Sequence, residues 1–247
     1  MTRRDLIPAL AALAVIILTV SLGNWQLRRA DEKTQAQQAR DAALARPAQS
    51  IGPEPLRAGA LDGERVRAQG TFLDEQSIFL DNRTHKGVAG FHVISPLRLM
   101  PADPGDARAQ HVLVLRGWVA ADRIDRKRLP TLATPSGPVS IEGVGVTELP
   151  QAMLLGGEPG PGPDGARLWQ RFTMQAYTRW SGLSIQPLLI RQLSELDDGL
   201  TREWVVPGEG ADRHRAYAFQ WYAMAIATGV LWLGVRLLAR RRRASTP

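Results

Sequence analysis

The chain has 247 residues, 44% hydrophobic and 22% charged, a globular balance that excludes wholesale disorder. It has no cysteine, which excludes disulfides, thiolate metal sites, Fe–S ligation and a cysteine nucleophile. The net charge of +7 sits at the ends: Arg3, Arg4, Arg236 and Arg240 to Arg243, less Asp5, supply six of it, which argues against a nucleic-acid-binding face.

The first element is LIPALAALAVIILTVSL, an uncharged run from Leu6. Extended over residues 6–25 it reaches about 30 Å as a helix, enough to cross a hydrocarbon core. Pro8 falls in the opening turns, where a missing N–H is tolerated, and Trp25 falls where an interfacial aromatic belongs. A cleaved signal peptide is the rival reading, with Arg3 and Arg4 ahead of the run and Ser21-Leu22-Gly23 as a small-residue site. The run exceeds the usual signal length, so an uncleaved anchor is predicted. Beyond it, helix formers continue to Pro47, with Leu27, Ala30, Ala39 and Leu44 too sparse for a coiled coil.

From Val66 the period changes to that of strands. RVRAQGTFL, SIFLDNRT, GFHVISPLRL, HVLVLRGWVA and PVSIEGVGVTEL are short β-branched or aromatic runs punctuated by Gly, Pro and Asp. His111 opens one of them and is expected to be solvated, with Val112, Val114 and Arg116 on one face. The charges around Arg123 to Arg128 suggest an exposed turn or short helix. Gly156 to Gly165 is a loop whose prolines deny it the donors of a phosphate cradle. Trp169, Phe172, Ala176 and Trp180 recur at helical spacing, with Gly182 as the stop, and IQPLLIRQL closes the region as a strand.

The last element, AYAFQWYAMAIATGVLWLGVRLLA at residues 216–239, is followed by the arginine cluster. It is long enough to span, and Arg236 is near enough to its end to snorkel. The cluster should stay cytoplasmic, which puts residues 1–5 and 240–247 on that side and residues 26–215 outside. No Arg- and Ser-rich import segment precedes the first run, which favours a bacterial inner membrane. The expected fold is therefore an α+β membrane protein: two transmembrane helices bracketing a mainly antiparallel, β-rich extracytoplasmic domain.

Catalytic fingerprints are missing: there is no HExxH, GxSxG, P-loop or dinucleotide motif. Asp81, Glu142 and Glu195 are the ordinary carboxylates that a membrane-anchored periplasmic hydrolase would have to use. His85 and His92, seven apart, read as turn and strand-surface residues rather than a metal pair, and the scattered methionines do not make a copper site. The remaining oddity is His214, between Arg213 and Arg215, where the charges stop and the last apolar run begins. Helical spacing aligns His214, Tyr217, Ala218, Trp221, Ala225, Thr228 and Trp232. One account is an aromatic belt with a small-residue contact, Ala225 and Gly229, against the first helix. The other is haem ligation: a neutral imidazole as iron ligand, Tyr217 and Trp221 beside the porphyrin, Arg213 and Arg215 on its propionates.

Several of these pieces, taken in order, resemble the surfeit-locus-1 protein family of cytochrome c oxidase assembly factors. They are Leu22-Gly23, Trp25-Gln26, Arg29 and Lys33; Gly70-Thr71-Phe72; Asn82-Arg83, Gly87, Gly90, Val93 and Pro96-Leu97; Arg116-Gly117-Trp118-Val119; and His214, Tyr217, Ala218, Gln220 and Trp221. The chain departs from the pattern at Leu115, Ala120 and Arg215. The resemblance implies assembly rather than turnover. It implies haem a handling, with His214 as candidate ligand, and the oxidase catalytic subunit as partner, with haem a synthase as a further one, besides membrane lipids. It leaves open a scaffold that binds oxidase subunits without touching haem. Arg83 and Arg116 are candidates for propionates or acidic partner residues.

Overall fold

The computed structural model describes residues 3–100, 110–125, 128–149, 160–161, 167–204 and 210–244. In chain order the elements are α1 (Arg3–Leu44), β1 (Gln49–Ile51), β2 (Arg65–Phe72), β3 (Ile78–His85), β4 (Val88–Leu99), β5 (Gln110–Ala120), β6 (Val139–Val146), β7 (Leu168–Trp169), α2 (Met174–Ser181), β8 (Ser184–Gln192) and α3 (Ala211–Ala244). They form two compact units: one from residues 1–40 and 205–247, the other Asp41–Trp204.

The first unit is an antiparallel helix pair. Contacts run in opposite order along the two helices, from Ile16 with Gly229 through Gly23 with Tyr222 to Thr34 with Arg215. The shielded positions of α1, Ala9, Ala12, Ile16, Thr19, Gly23, Gln26 and Ala30, alternate in threes and fours. On α3 His214, Ala218, Trp221, Ala225, Thr228 and Trp232 do the same, the spacing that keeps one seam facing a partner helix. Small residues let the seam close: a Cβ on Gly23 would lie 2.7 Å from a ring carbon of Tyr222. The outer faces carry exposed apolar side chains, among them Leu10, Ile17, Phe219, Ile226 and Leu231. Both helices are long and apolar enough to cross a membrane, compatible with a membrane-anchored protein.

The second unit is built on a sheet that closes. β2 pairs with β6 on one side and β4 on the other, so β2, β4, β5, β8 and β6 form a ring. Around the ring the barrel strands run first, second, third, fifth, fourth and back to the first, with third and fifth parallel. That order is the order of the five-stranded Greek-key OB barrel. Every barrel strand feeds the interior by alternation: Phe72, Leu97, Val114, Ile141 and Ile190 belong to one buried cluster. The outer face of β4, β5 and β8 is covered by β7 and α2, where Leu113, Leu115 and Leu189 pack against Trp169, Phe172 and Tyr177.

Three expectations are corrected here. The sheet is mixed rather than mainly antiparallel: β1–β2, β3–β7 and β5–β8 are parallel. Alternation places a side chain on a face but does not tell which way a strand runs. The helix expected from Trp169 starts only at Met174, because Thr173 is its N-cap and accepts a hydrogen bond from the Ala176 N–H at 3.2 Å. Trp169 instead pairs with β3, in a segment pinned by Arg167, which donates to the backbone oxygens of Ser77 and Asp74 at 2.6 and 2.8 Å. Gly182, left-handed at φ 69°, does end the helix. His111 is buried, not solvated, with Nδ1 3.2 Å from the Ser184 carbonyl of the neighbouring strand.

Local chemistry explains the irregularities. The β3–β4 hairpin turns on Lys86 and Gly87, both at positive φ (48° and 81°), the type I′ geometry that suits strand twist. The parallel register of β5 and β8 slips between His111 and Leu113, opposite Pro187, which has no N–H to give the ladder. The described part of the Arg123 to Arg128 stretch is a turn in which Asp122 Oδ1 accepts from the Ile124 and Asp125 N–H groups. Apart from Gly160 and Pro161, the Gly156 to Gly165 loop lies outside the described residues.

Candidate functional site

His214 lies in the first turns of α3, on the side that faces α1. Its Nδ1 is 2.6 Å from Gln26 Oε1. An amide oxygen only accepts, so in the neutral ring Nδ1 carries the proton and Nε2 keeps its lone pair. Trp221, two helical turns on, is half-buried on the same seam, whereas Tyr217 and Arg213 are exposed. Arg215 is engaged: one guanidinium nitrogen donates to Asp212 Oδ1 at 3.0 Å and another to Thr34 Oγ1 of α1 at 3.1 Å. Of the two arginines beside the histidine, Arg213 is the one with no such bond. Tyr222, not Tyr217, is the tyrosine on the seam, and its hydroxyl donates to Asn24 Oδ1 at 2.7 Å. Asn24, Thr34 and Tyr222 were missed from the sequence, and Gln26 entered only through the family resemblance. The three-and-four spacing of α1 already marks Gln26 as inward, in step with Thr19, Gly23 and Ala30.

Among the described residues no cluster of three or more His, Asp or Glu side chains is placed to hold a metal ion. A lone imidazole nitrogen is a poor home for a bare divalent cation. It could serve as the protein's ligand to a porphyrin iron, whose remaining nitrogen ligands come with the macrocycle. The free Nε2 of His214 and the hydrogen-bonded Nδ1–H fit that group, since ligating histidines characteristically donate their other ring N–H to a neighbouring acceptor.

Arg116 is corrected by the structure. Its side chain has no exposure, so it cannot grip a propionate or a partner's acidic residue. It stands at a bulge: Val93 faces Gly117 and Ile94 faces Leu115, leaving Arg116 as the extra residue of β5. Its guanidinium lies 4.5 Å over the Phe72 ring and donates to Thr134 Oγ1 at 2.8 Å and Asp198 Oδ2 at 3.0 Å. Asp198 Oδ2 also accepts from Arg202 at 2.6 Å. Burial lowers the pKa of Arg116, and the Asp198 hydrogen bond opposes that shift.

A second group of polar and aromatic side chains gathers at the β3–β4 hairpin. Trp118 Nε1 donates to the Arg83 carbonyl at 2.9 Å, His85 packs on the Trp118 ring, and His92 meets Trp204 edge-on. Arg83 is half-buried, and burial lowers its pKa. His92 is pushed from 6.5 to about 4, first by burial and then by the Arg83 charge. A base depressed on folding takes up its proton in the unfolded chain first. The stability it permits is therefore full above pH 6.5 and is lost as pH falls from there toward 4. Replacing His92 with phenylalanine should flatten that segment of the stability–pH curve by about 3 kcal/mol, measured by urea denaturation at pH 7, 5.5 and 4. A curve unchanged by the substitution contradicts the assignment.

Two of the three carboxylates named for a hydrolase pair with arginines. Glu142 is held by Arg67 and Arg65, whose hydrogen bonds lower its pKa, the opposite of what a general acid requires. The side chain of Glu195 is 82% exposed beside Arg202.

The SURF1 family model matches residues 13–226. A SURF1-like protein of Monosiga brevicollis is 28% identical over 244 residues, covering 92% of this chain and 86% of that protein.

Proposed function

The chain belongs to the SURF1 family, and on that premise we propose that it assists maturation of the cytochrome c oxidase catalytic subunit at haem a insertion. The family is associated with oxidase assembly. In this reading the helix pair spans a bacterial inner membrane, both termini are cytoplasmic and the barrel is periplasmic, as the arginine tally favours. The observation that carries the haem step is the 2.6 Å contact of His214 Nδ1 with Gln26 Oε1, in which a neutral ring donates its Nδ1–H and keeps the Nε2 lone pair. Arg213, exposed and beside it, would meet a propionate in this reading. Haem a here is cargo, handed on rather than turned over.

The test is an absorption spectrum of the full chain, purified in detergent from cells that make haem a. The expected result is a haem band that His214→Ala removes, together with loss of oxidase assembly in cells carrying that variant. A haem-free protein whose His214→Ala form still supports assembly overturns the haem step. It would favour the scaffold reading, for which the support is the exposed apolar surface of the helices, Phe219 at 74% exposure included.

A further inference from the structure

We propose that Gln26 is a positioning residue: it holds the His214 ring as the Nδ1–H tautomer and so presents Nε2 as the ligating atom. The inference deepens the haem reading above and rests on it for its purpose, though not for its geometry. The bond is short, 2.6 Å, and joins residues 188 apart in the chain. Because Oε1 can only accept, the bond permits a single neutral tautomer. In water a neutral histidine side chain favours the other one, with the proton on Nε2, which would occupy the atom a metal needs.

The surroundings fix Gln26 as well. It sits on the shielded seam of α1, one helical turn from Gly23, where Tyr222 closes over the backbone, and one turn from buried Ala30. Beyond it Arg215 ties Thr34 of α1 to Asp212 of α3. On the other side Tyr222 ties Asn24. On α1 these two cross-helix bonds lie on either side of Gln26, while on α3 both follow His214; together they limit rotation of the helices about their axes. Orienting a ligand through its second nitrogen is the usual work of such a partner, and its loss costs metal affinity by about 10- to 100-fold.

Two measurements on the full chain in detergent test this. The first is the ring nitrogen spectrum of 15N-histidine-labelled protein without haem. Wild type should show His214 protonated on Nδ1, Gln26→Leu should shift it to Nε2, and Gln26→Glu, which keeps an acceptor, should restore Nδ1. Wild-type His214 protonated on Nε2 overturns the proposal. The second is titration with ferric protoporphyrin. Gln26→Leu should weaken binding by about 10- to 100-fold, and Gln26→Glu should bind close to wild type. An unchanged affinity in Gln26→Leu overturns the positioning role. If His214→Ala binds as wild type does, the ligand reading fails instead, whatever the tautomer, so the two failures are separable.

Discussion

Replacing Asp198 with asparagine is expected to destabilise the barrel unit by about 3–5 kcal/mol, the range for removing one partner of a buried ion pair. Asp198 is the single carboxylate between two enclosed guanidinium groups. The side chains of Arg116, Asp198 and Arg202 are 0%, 0% and 2% exposed. Its Oδ2 accepts from both arginines, and its Oδ1 accepts from the Leu200 N–H. Asparagine keeps the shape but turns one acceptor into a donor facing two cations, so Arg116 loses its ion pair and Arg202 keeps only the longer contact with exposed Glu195. The damage should spread along a connected path. Arg116 reaches Thr134, Thr134 donates to Asp74 Oδ1, and Arg202 donates to the Leu200 carbonyl, so the β5 bulge and three loops share one charge balance. The control is Glu195→Gln. Glu195 contacts Arg202 at 3.3 Å from a largely exposed position, and its loss should cost no more than about 1 kcal/mol. Urea denaturation followed by tryptophan fluorescence reads both. Equal effects from the two substitutions would mean that Asp198 is not the charge that matters.

The same network shows where sequence reading reaches and where it stops. Strands β2 to β6 and β8 are legible because β-branched residues alternate and glycines and prolines mark their ends. β1 and β7, three and two residues long, are too short to show a period, and with them went two of the parallel pairings. Trp169, Phe172, Ala176 and Trp180 do recur at helical spacing, but a capping threonine outweighed the pattern and left the first of them on a strand. Arg116 stood as a candidate for propionates or acidic partners because its counter-charge is 82 residues away in sequence. His214 could be singled out from its place at the edge of an apolar run. The spacing of α1 marks Gln26, its partner, as inward, but nothing in the sequence says which residue of the other helix it meets. What became visible only in three dimensions was in each case a pairing between distant residues, not the character of either one.

The second large effect is expected at Trp169: substitution by alanine should cost about 3–5 kcal/mol, as for other enclosed aromatic residues. Its side chain is fully buried, and its ring lies 5.7 to 6.5 Å from those of Phe172, Tyr177 and Trp180. These rings fasten α2 to the outer face of the barrel, helped by the Tyr177 hydroxyl, which donates to the Gln76 carbonyl at 2.7 Å. Trp169→Phe is the informative comparison. It keeps a ring in place and removes an indole N–H that is buried with no partner among the described residues. Relief of that orphan donor, worth about 1–3 kcal/mol, should offset much of the lost volume. Phenylalanine should therefore cost far less than alanine, and hydrogen exchange along Met174–Ser181 should quicken in the alanine variant alone. If phenylalanine is as damaging as alanine, the indole N–H has an acceptor after all. The two classes of variant then separate in cells. On the proposed haem reading, Trp169→Ala should lower the amount of folded protein and leave haem per molecule unchanged. His214→Ala should lower haem per molecule at an unchanged amount of protein, the pattern expected if the barrel supplies stability and the helix pair holds the proposed ligand.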